Sequence, residues 1–322
     1  MTNFQVYKKT LSFSFVAFLV DLVGLLITIG FAVAGFFILN KSTEMGLLGI
    51  VLGFLLGGIV ALLINAFITN RYKAAQIAMM VKGVTEDSLP EHTFRAGMDE
   101  LKGRFGKITA FYFITRAIKG IFNQIGRTIN KIGTAVGGDA GNAVTSAINS
   151  GVQIVVGYLC DCCLGWVLFR KDVAGPKAGC EGAVIFFKHG KTLIRNVGRI
   201  FGMGFLSLLL IGGAFFGLSF AIFSAMPQVF QTVSNEIVEI GIRESIDFPS
   251  WVSNPTLLTA VACAILGLII WSMLHSLLIR PFILTGVLRN FMAAGIKDMP
   301  TEADFKVLDQ KSPKFAKLHQ SI

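Results

Sequence analysis

Four long apolar stretches dominate the pattern of this chain: Leu11–Leu39, Gly46–Thr69, Ile200–Met226 and Thr256–Ile279. Each exceeds the roughly 20 residues a helix needs to cross a bilayer. Asp21 is the only Asp, Glu, Lys or Arg in the four. A buried helix of a soluble protein would be shorter and would show a polar face, so all four are expected to be membrane helices. The first follows Lys8 and Lys9. It is far longer than the roughly 7–15-residue apolar core of a signal peptide and reads as a retained span.

The intervening segments have a different period. Between Phe105 and Lys131, the residues Arg116, Lys119, Asn123, Arg127 and Asn130 fall at offsets 0, 3, 7, 11 and 14, which one helix face shares. After the breaker Gly137-Gly138-Asp139-Ala140-Gly141 comes a second stripe, Asn142, Ser146, Asn149 and Gln153. Two such helices could cross the membrane as a hairpin with their wet faces sheltered. The alternative for the first is a basic amphipathic helix lying flat on the membrane, which avoids about 2.5–3.5 kcal/mol per cation at mid-bilayer.

Composition agrees with membrane residence: 53% of the 322 residues are hydrophobic and mean hydropathy is +0.68. Only 15% are charged, against about 25% in soluble domains. The net charge of +10 would prompt a search for nucleic-acid partners in a soluble protein. Here the basic residues gather beside apolar stretches, no nucleic-acid motif accompanies them, and no such partner is expected. Residues 170–199 hold seven basic residues against two acidic ones. The loop after Met226 holds Glu236, Glu239, Glu244 and Asp247 against Arg243. The positive-inside rule then puts the basic segments and both termini in the cytoplasm, near anionic headgroups, and the acidic loop outside. Residues 70–105 and 170–199 share one side, so the chain between them crosses an even number of times. This favours six crossings.

The expected fold is an all-α polytopic bundle: four firm spans, a polar central hairpin and amphipathic cytoplasmic helices. Its parts are a first hairpin (1–69), an amphipathic segment (70–104), the central hairpin (105–169), a basic segment (170–199), a second hairpin with its acidic loop (200–280) and a tail (281–322). The segments after the two hairpins look duplicated. Asp87, Pro90, Phe94-Arg95, Asp99, Arg104-Phe105 and Lys107 are echoed by Asp298, Pro300, Phe305-Lys306, Asp309, Lys314-Phe315 and Lys317.

Candidate sites are few. Ionisable groups inside spans are costly unless paired. Asp21 therefore joins Arg116, Lys119, Asn123, Asn149 and Gln153 as the lining of a possible solute path. Asn65 and His275 are further polar residues within spans. The pairs Gly53/Gly57 and Gly213/Gly217 have the G-x-x-x-G spacing that lets helices approach closely, and they permit a homo-oligomer. Cys160, Cys162, Cys163 and Cys180 are weak metal candidates, since C-D-C-C lacks the paired-knuckle spacing of zinc sites. No phosphate loop, H-E-x-x-H or G-x-S-x-G motif occurs. Neither an enzyme nor a cofactor is expected. Cys162-Cys163-Leu164-Gly165-Trp166, then the basic segment Gly182–Arg199 and a span pair, form an order that resembles the C-terminal part of choline transporter-like proteins. The resemblance covers less than half the chain and matches no functional residue of that family. The leading functional expectation is a conduit for a small polar or anionic solute in the cell membrane. The competing one is a scaffold or accessory subunit that recruits lipids or partners.

Overall fold

The computed structural model describes residues 1–43, 46–104, 140–244 and 248–320, with Gly120 alone between the second and third ranges. Every described element is helical. The central stripe residues Arg116, Lys119 and Asn123 lie outside the described residues, as do the side chains of Asn149 and Gln153. In chain order the helices are α1 (Asn3–Thr43), α2 (Gly46–Ile64), α3 (Asn70–Thr85), α4 (Thr93–Arg104), α5 (Ala140–Phe169), α6 (Gly175–Ser207), α7 (Gly213–Ser224), α8 (Pro227–Glu244), α9 (Pro255–Leu274), α10 (Arg280–Lys297), α11 (Glu302–Lys311) and α12 (Pro313–His319). Three π-helical segments, Asn65–Thr69, Leu208–Gly212 and His275–Ile279, join α2 to α3, α6 to α7 and α9 to α10. Among the described residues, four helices are long and apolar enough to cross a membrane. The chain divides into two compact units, Met1–Phe201 with Arg280–Ile322, and Gly202–Ile279.

In the first unit α1 has two halves of different character. Its 41 residues make a rod about 60 Å long, twice the thickness of a bilayer core. The helix starts at Asn3, eight residues before the expected span, because an amphipathic stretch precedes the apolar one. Val6, Thr10, Phe13, Ser14 and Ala17 are buried at helical spacing, whereas beyond Asp21 most large side chains are exposed. The buried half joins a helical body made with α3, α4, α10 and the C-terminal part of α5. At its centre is α3, where Ala74 to Val81 are buried without a break. Gln76 donates to the Thr10 carbonyl (3.0 Å) and the Ser14 hydroxyl (2.7 Å), so the one amide in this core is satisfied.

The exposed half of α1 pairs antiparallel with α2. Cβ atoms added at Gly35 and Gly49 would each fall on the other's carbonyl oxygen, and one at Gly53 on that of Phe31. One at Gly57 would lie 2.7 Å from Thr28 Cα, and one at Gly24 meets Ala61 at 3.4 Å. On α2 the contacting residues are thus Gly49, Gly53, Gly57 and Ala61, four small residues at spacing four. This lets the backbones touch, and such packing is what holds helices together in lipid.

The apolar C-terminal part of α5 has a different fate from these spans. Nearly every residue from Val156 to Leu168 is buried by other protein. Trp166 is fully enclosed, with Phe291 edge-on at 6.4 Å, and a Cβ at Gly295 would strike its ring at 2.6 Å. The start of α6 closes over this wall: a Cβ at Gly182 would touch Cys163 Cα at 3.1 Å. Farther along, α6 leaves helical geometry at His189 (φ −105°, ψ 15°).

In the second unit α7 and α9 form another antiparallel pair, with one close approach. A Cβ at Gly267 would lie 3.0 Å from the Gly212 carbonyl oxygen. Trp271 Nε1 donates to Ser207 Oγ at 3.1 Å. The connection between the two helices contains α8. Asn254 caps α9 by accepting from the amides of Thr256 (3.0 Å) and Leu257 (3.2 Å), with Pro255 at the first helical position.

Candidate functional site: polar pairs at the ends of the spans

A polar cluster closes the base of the first hairpin. Asp21 Oδ1 accepts from Asn65 Nδ2 at 3.0 Å and from Thr69 Oγ1 at 2.9 Å. Asn65 and Thr69 are the first and last residues of a π segment, the kind of helical irregularity that often marks a special site. The uninterrupted apolar helix above it, α2, has 19 residues and is about 28 Å long, one bilayer core. Asp21 therefore sits at the end of an apolar stretch one bilayer core long, with neutral hydrogen-bond donors as its partners among the described residues. Asp21 and Asn65 stand out in the sequence as polar residues within spans. Thr69 does not, although its i, i+4 spacing from Asn65 was the available signal.

A second cluster joins α5 to the start of α10. Arg280 Nη2 donates to Asp161 Oδ2 at 2.7 Å, and its guanidinium lies 5.7 Å from the Tyr158 ring centroid. Both charged side chains are partly exposed, which limits the strength of the pair. Nothing in the linear spacing of Asp161 and Arg280 announces this contact.

Deeper in the body, Glu181 is buried and doubly held. Trp166 Nε1 donates to its Oε2 at 2.9 Å, and Arg170 Nη1 reaches the same oxygen at 3.1 Å. Arg170 also makes a bidentate pair with Asp172, both contacts at 2.8 Å. The Asp172 hydrogen bond in particular holds the guanidinium's pKa above its ordinary value, with the Glu181 charge adding to it. A buried carboxylate with two donors is a structural clamp between α5 and α6, since removing either donor would leave an unmet charge.

The four candidate cysteines all fall in this wall. Cys160, Cys162, Cys163 and Cys180 are buried, and none is in a disulfide. Burial pushes the Cys180 thiol up to about 12, helped by the charges of Asp309 and Glu181, so it is a neutral thiol at physiological pH. No group of three or more His, Cys, Asp or Glu side chains is placed to hold a metal among the described residues.

Of the glycine pairs, Gly53 and Gly57 line the α1–α2 contact. A Cβ at Gly213 or Gly217 would meet nothing within 4 Å. The close approach of α7 to α9 is made one residue earlier, at Gly212. On the body's surface, a cleft of about 580 Å³ opens between Lys9 and Ser12 of α1 and the stretch Pro90–Arg95. Lys9 and Arg95 set its charge against the carboxylate of Glu91. Comparison with known protein families, characterised proteins and solved structures finds no match to this chain.

Proposed function

We propose that the chain is a non-transporting membrane scaffold, in which apolar hairpins hold a rigid helical body against the cytoplasmic face of the cell membrane. The body and the basic helices would recruit anionic lipids or protein partners, and no catalytic step is assigned to them. The observation that carries this reading is the two-part character of α1: one helix is built into the body over its first half and clad in exposed apolar side chains over its second. A rod shared between membrane and body is what a rigid mount needs. The polar residues at the span ends support the same reading, because Asp21, Asn65 and Thr69, and Asp161 with Arg280, are bonded to one another.

The conduit alternative draws on Arg116, Lys119, Asn123, Asn149 and Gln153 and on a central hairpin that crosses. Six crossings require 105–169 to traverse the membrane twice. The apolar part of α5 is enclosed by protein, and the 14 residues before Ile154 would extend only about 21 Å, short of a bilayer core. We therefore favour four crossings, which leave both termini cytoplasmic just as six would.

The test is reconstitution of the full chain into vesicles, with conductance and efflux of small anionic and neutral solutes compared with protein-free vesicles. The scaffold reading expects no difference. Flux that disappears in Arg116→Ala and Lys119→Ala variants would replace it with the conduit.

A further inference from the structure

The connection between α7 and α9 contains a helix whose surface has a use that the mount does not explain. α8 begins two residues after α7 ends, and it packs against both α7 and α9. Its start is therefore fixed at the level where those helices end. Phe230, Ser234 and Gly241 turn toward its own unit: Phe230 meets Phe223 edge-on at 5.4 Å, Ser234 Oγ donates to the Val252 carbonyl at 2.8 Å, and Gly241 is buried. Thr232, Glu236, Glu239 and Arg243 occupy the opposite face, at 100° per residue.

Between these two faces lie two apolar side chains that are exposed among the described residues. Val238 is 37% exposed and Ile242 is 77% exposed, the most exposed large apolar side chain among the described residues. Trp251 and Phe248 stand near the other end of the connection, 40% and 42% exposed. A helix that is apolar on two of its three sides and polar on the third, begun at the end of a span, has the form of a helix lying in the membrane interface. Aromatic residues beside it match the headgroup belt. Its polar face carries Glu236 and Glu239 against Arg243, which suits a neutral headgroup layer and repels an anionic one.

We infer that α8 lies in the headgroup layer of the non-cytoplasmic leaflet, with Val238 and Ile242 in the acyl boundary and the acidic face in water. The inference rests on the reading that α7 and α9 cross the membrane. Nitroxide labels at Val238→Cys, Ile242→Cys, Thr232→Cys and Glu236→Cys test it in the full chain, in phosphatidylcholine vesicles, with Leu218→Cys on α7 as the span control. The five native cysteines are buried, and the unsubstituted chain serves as the labelling blank.

The expected result is that positions 238, 242 and 218 relax faster with oxygen than with a water-soluble nickel chelate, and that 232 and 236 do the reverse. If 218 reports lipid while 238 and 242 report water, the interfacial helix is overturned and the crossing stands. If 238 and 242 are shielded from both reagents, a second copy or another protein covers that face and the inference is likewise overturned. If 218 itself reports water, the crossing fails and takes the inference with it.

Discussion

The two membrane hairpins have the same design but are held together by different means. In the α1–α2 pair the backbones touch along four successive turns, through Gly35 against Gly49, Phe31 against Gly53, Thr28 against Gly57 and Gly24 against Ala61. In the α7–α9 pair one glycine, Gly267, brings backbone near backbone, and an indole-to-hydroxyl bond supplies the polar contact. The first hairpin also continues directly into the body, and its base is closed by a carboxylate. The difference teaches where rigidity is needed. The pair that grows out of the body is packed at backbone distance, and the pair that closes over an interfacial connection is packed through side chains.

The largest expected effect follows from that contrast. Gly53→Ala places a methyl group on the Phe31 carbonyl oxygen, so α1 and α2 must separate along their whole contact. The cost should be about 3 kcal/mol, the upper range for overpacking, because backbone cannot rotate away as a side chain can. Gly267→Ala meets the Gly212 carbonyl at 3.0 Å, which a shift of a few tenths of an ångström relieves, and about 1 kcal/mol is expected. Unfolding in mixed micelles would rank the two. Equal losses would erase the distinction between the hairpins.

Next comes the base of the first hairpin. Asp21→Leu leaves the Asn65 amide and the Thr69 hydroxyl without their shared acceptor, at an expected cost of about 1–3 kcal/mol. Asp21→Asn can turn its carbonyl oxygen to the same two donors and should lose less than about 1 kcal/mol. Should the two variants unfold alike, the charge of Asp21 matters and the cluster is more than a closed hydrogen-bond set.

How much of this was readable beforehand depends on range. The four spans were legible because length and hydropathy are local properties of the chain, and they decide membrane residence. The extension of α1 to Asn3 was not, since Val6, Phe13 and Ala17 form a stripe that means something only once α3 and α10 lie against it. The π segments at 65–69, 208–212 and 275–279 leave no mark in composition, as one extra residue per turn does not alter the apolar pattern. The G-x-x-x-G pairs illustrate the same limit. Gly53 and Gly57 are half of a four-residue contact, whereas Gly213 and Gly217 have the spacing without the neighbour. Asp161 lies within C-D-C-C, and its partner Arg280 is 119 positions away. The first central stripe lies outside the described residues, as do the side chains of the second.

The helices that follow each hairpin in sequence sharpen the comparison through pH. α11 opens with a capping box, in which Asp304 accepts from the Thr301 amide at 2.9 Å and its hydroxyl at 2.8 Å, with Lys188 Nζ at 3.0 Å. The Thr301 amide, above all, holds the Asp304 carboxyl below the usual carboxylate range, with the Thr301 hydroxyl and Lys188 adding to it. A pKa depressed on folding contributes stability above the unfolded value, about 3.9, and that contribution is lost as pH falls through the folded value. α4 has no acidic residue in its first turn. Amide-exchange protection over 302–311 should therefore fall below about pH 4 more than protection over 93–104. Asp304→Asn should flatten that difference and cost about 1 kcal/mol at neutral pH, the scale of a lost cap.

The smallest effect is expected on α7. Gly213→Ala and Gly217→Ala add methyl groups into space that holds no atom within 4 Å. In micelles the double variant should unfold within about 0.5 kcal/mol of the parent, as unconstrained substitutions do. The same spacing at Gly53 and Gly57 belongs to a face already occupied, so an equal loss at both pairs would mean that α7 has a neighbour in the assembled protein. Cross-linking of the parent and the double variant in vesicles separates the cases. If a second copy packs on that stripe, the methyl groups reduce the cross-linked dimer while the monomer's stability in micelles is unchanged. Unaltered cross-linking together with unaltered stability leaves G-x-x-x-G on α7 as spacing alone, and the two hairpins then differ in kind: in the first the motif is used, and in the second only spelled.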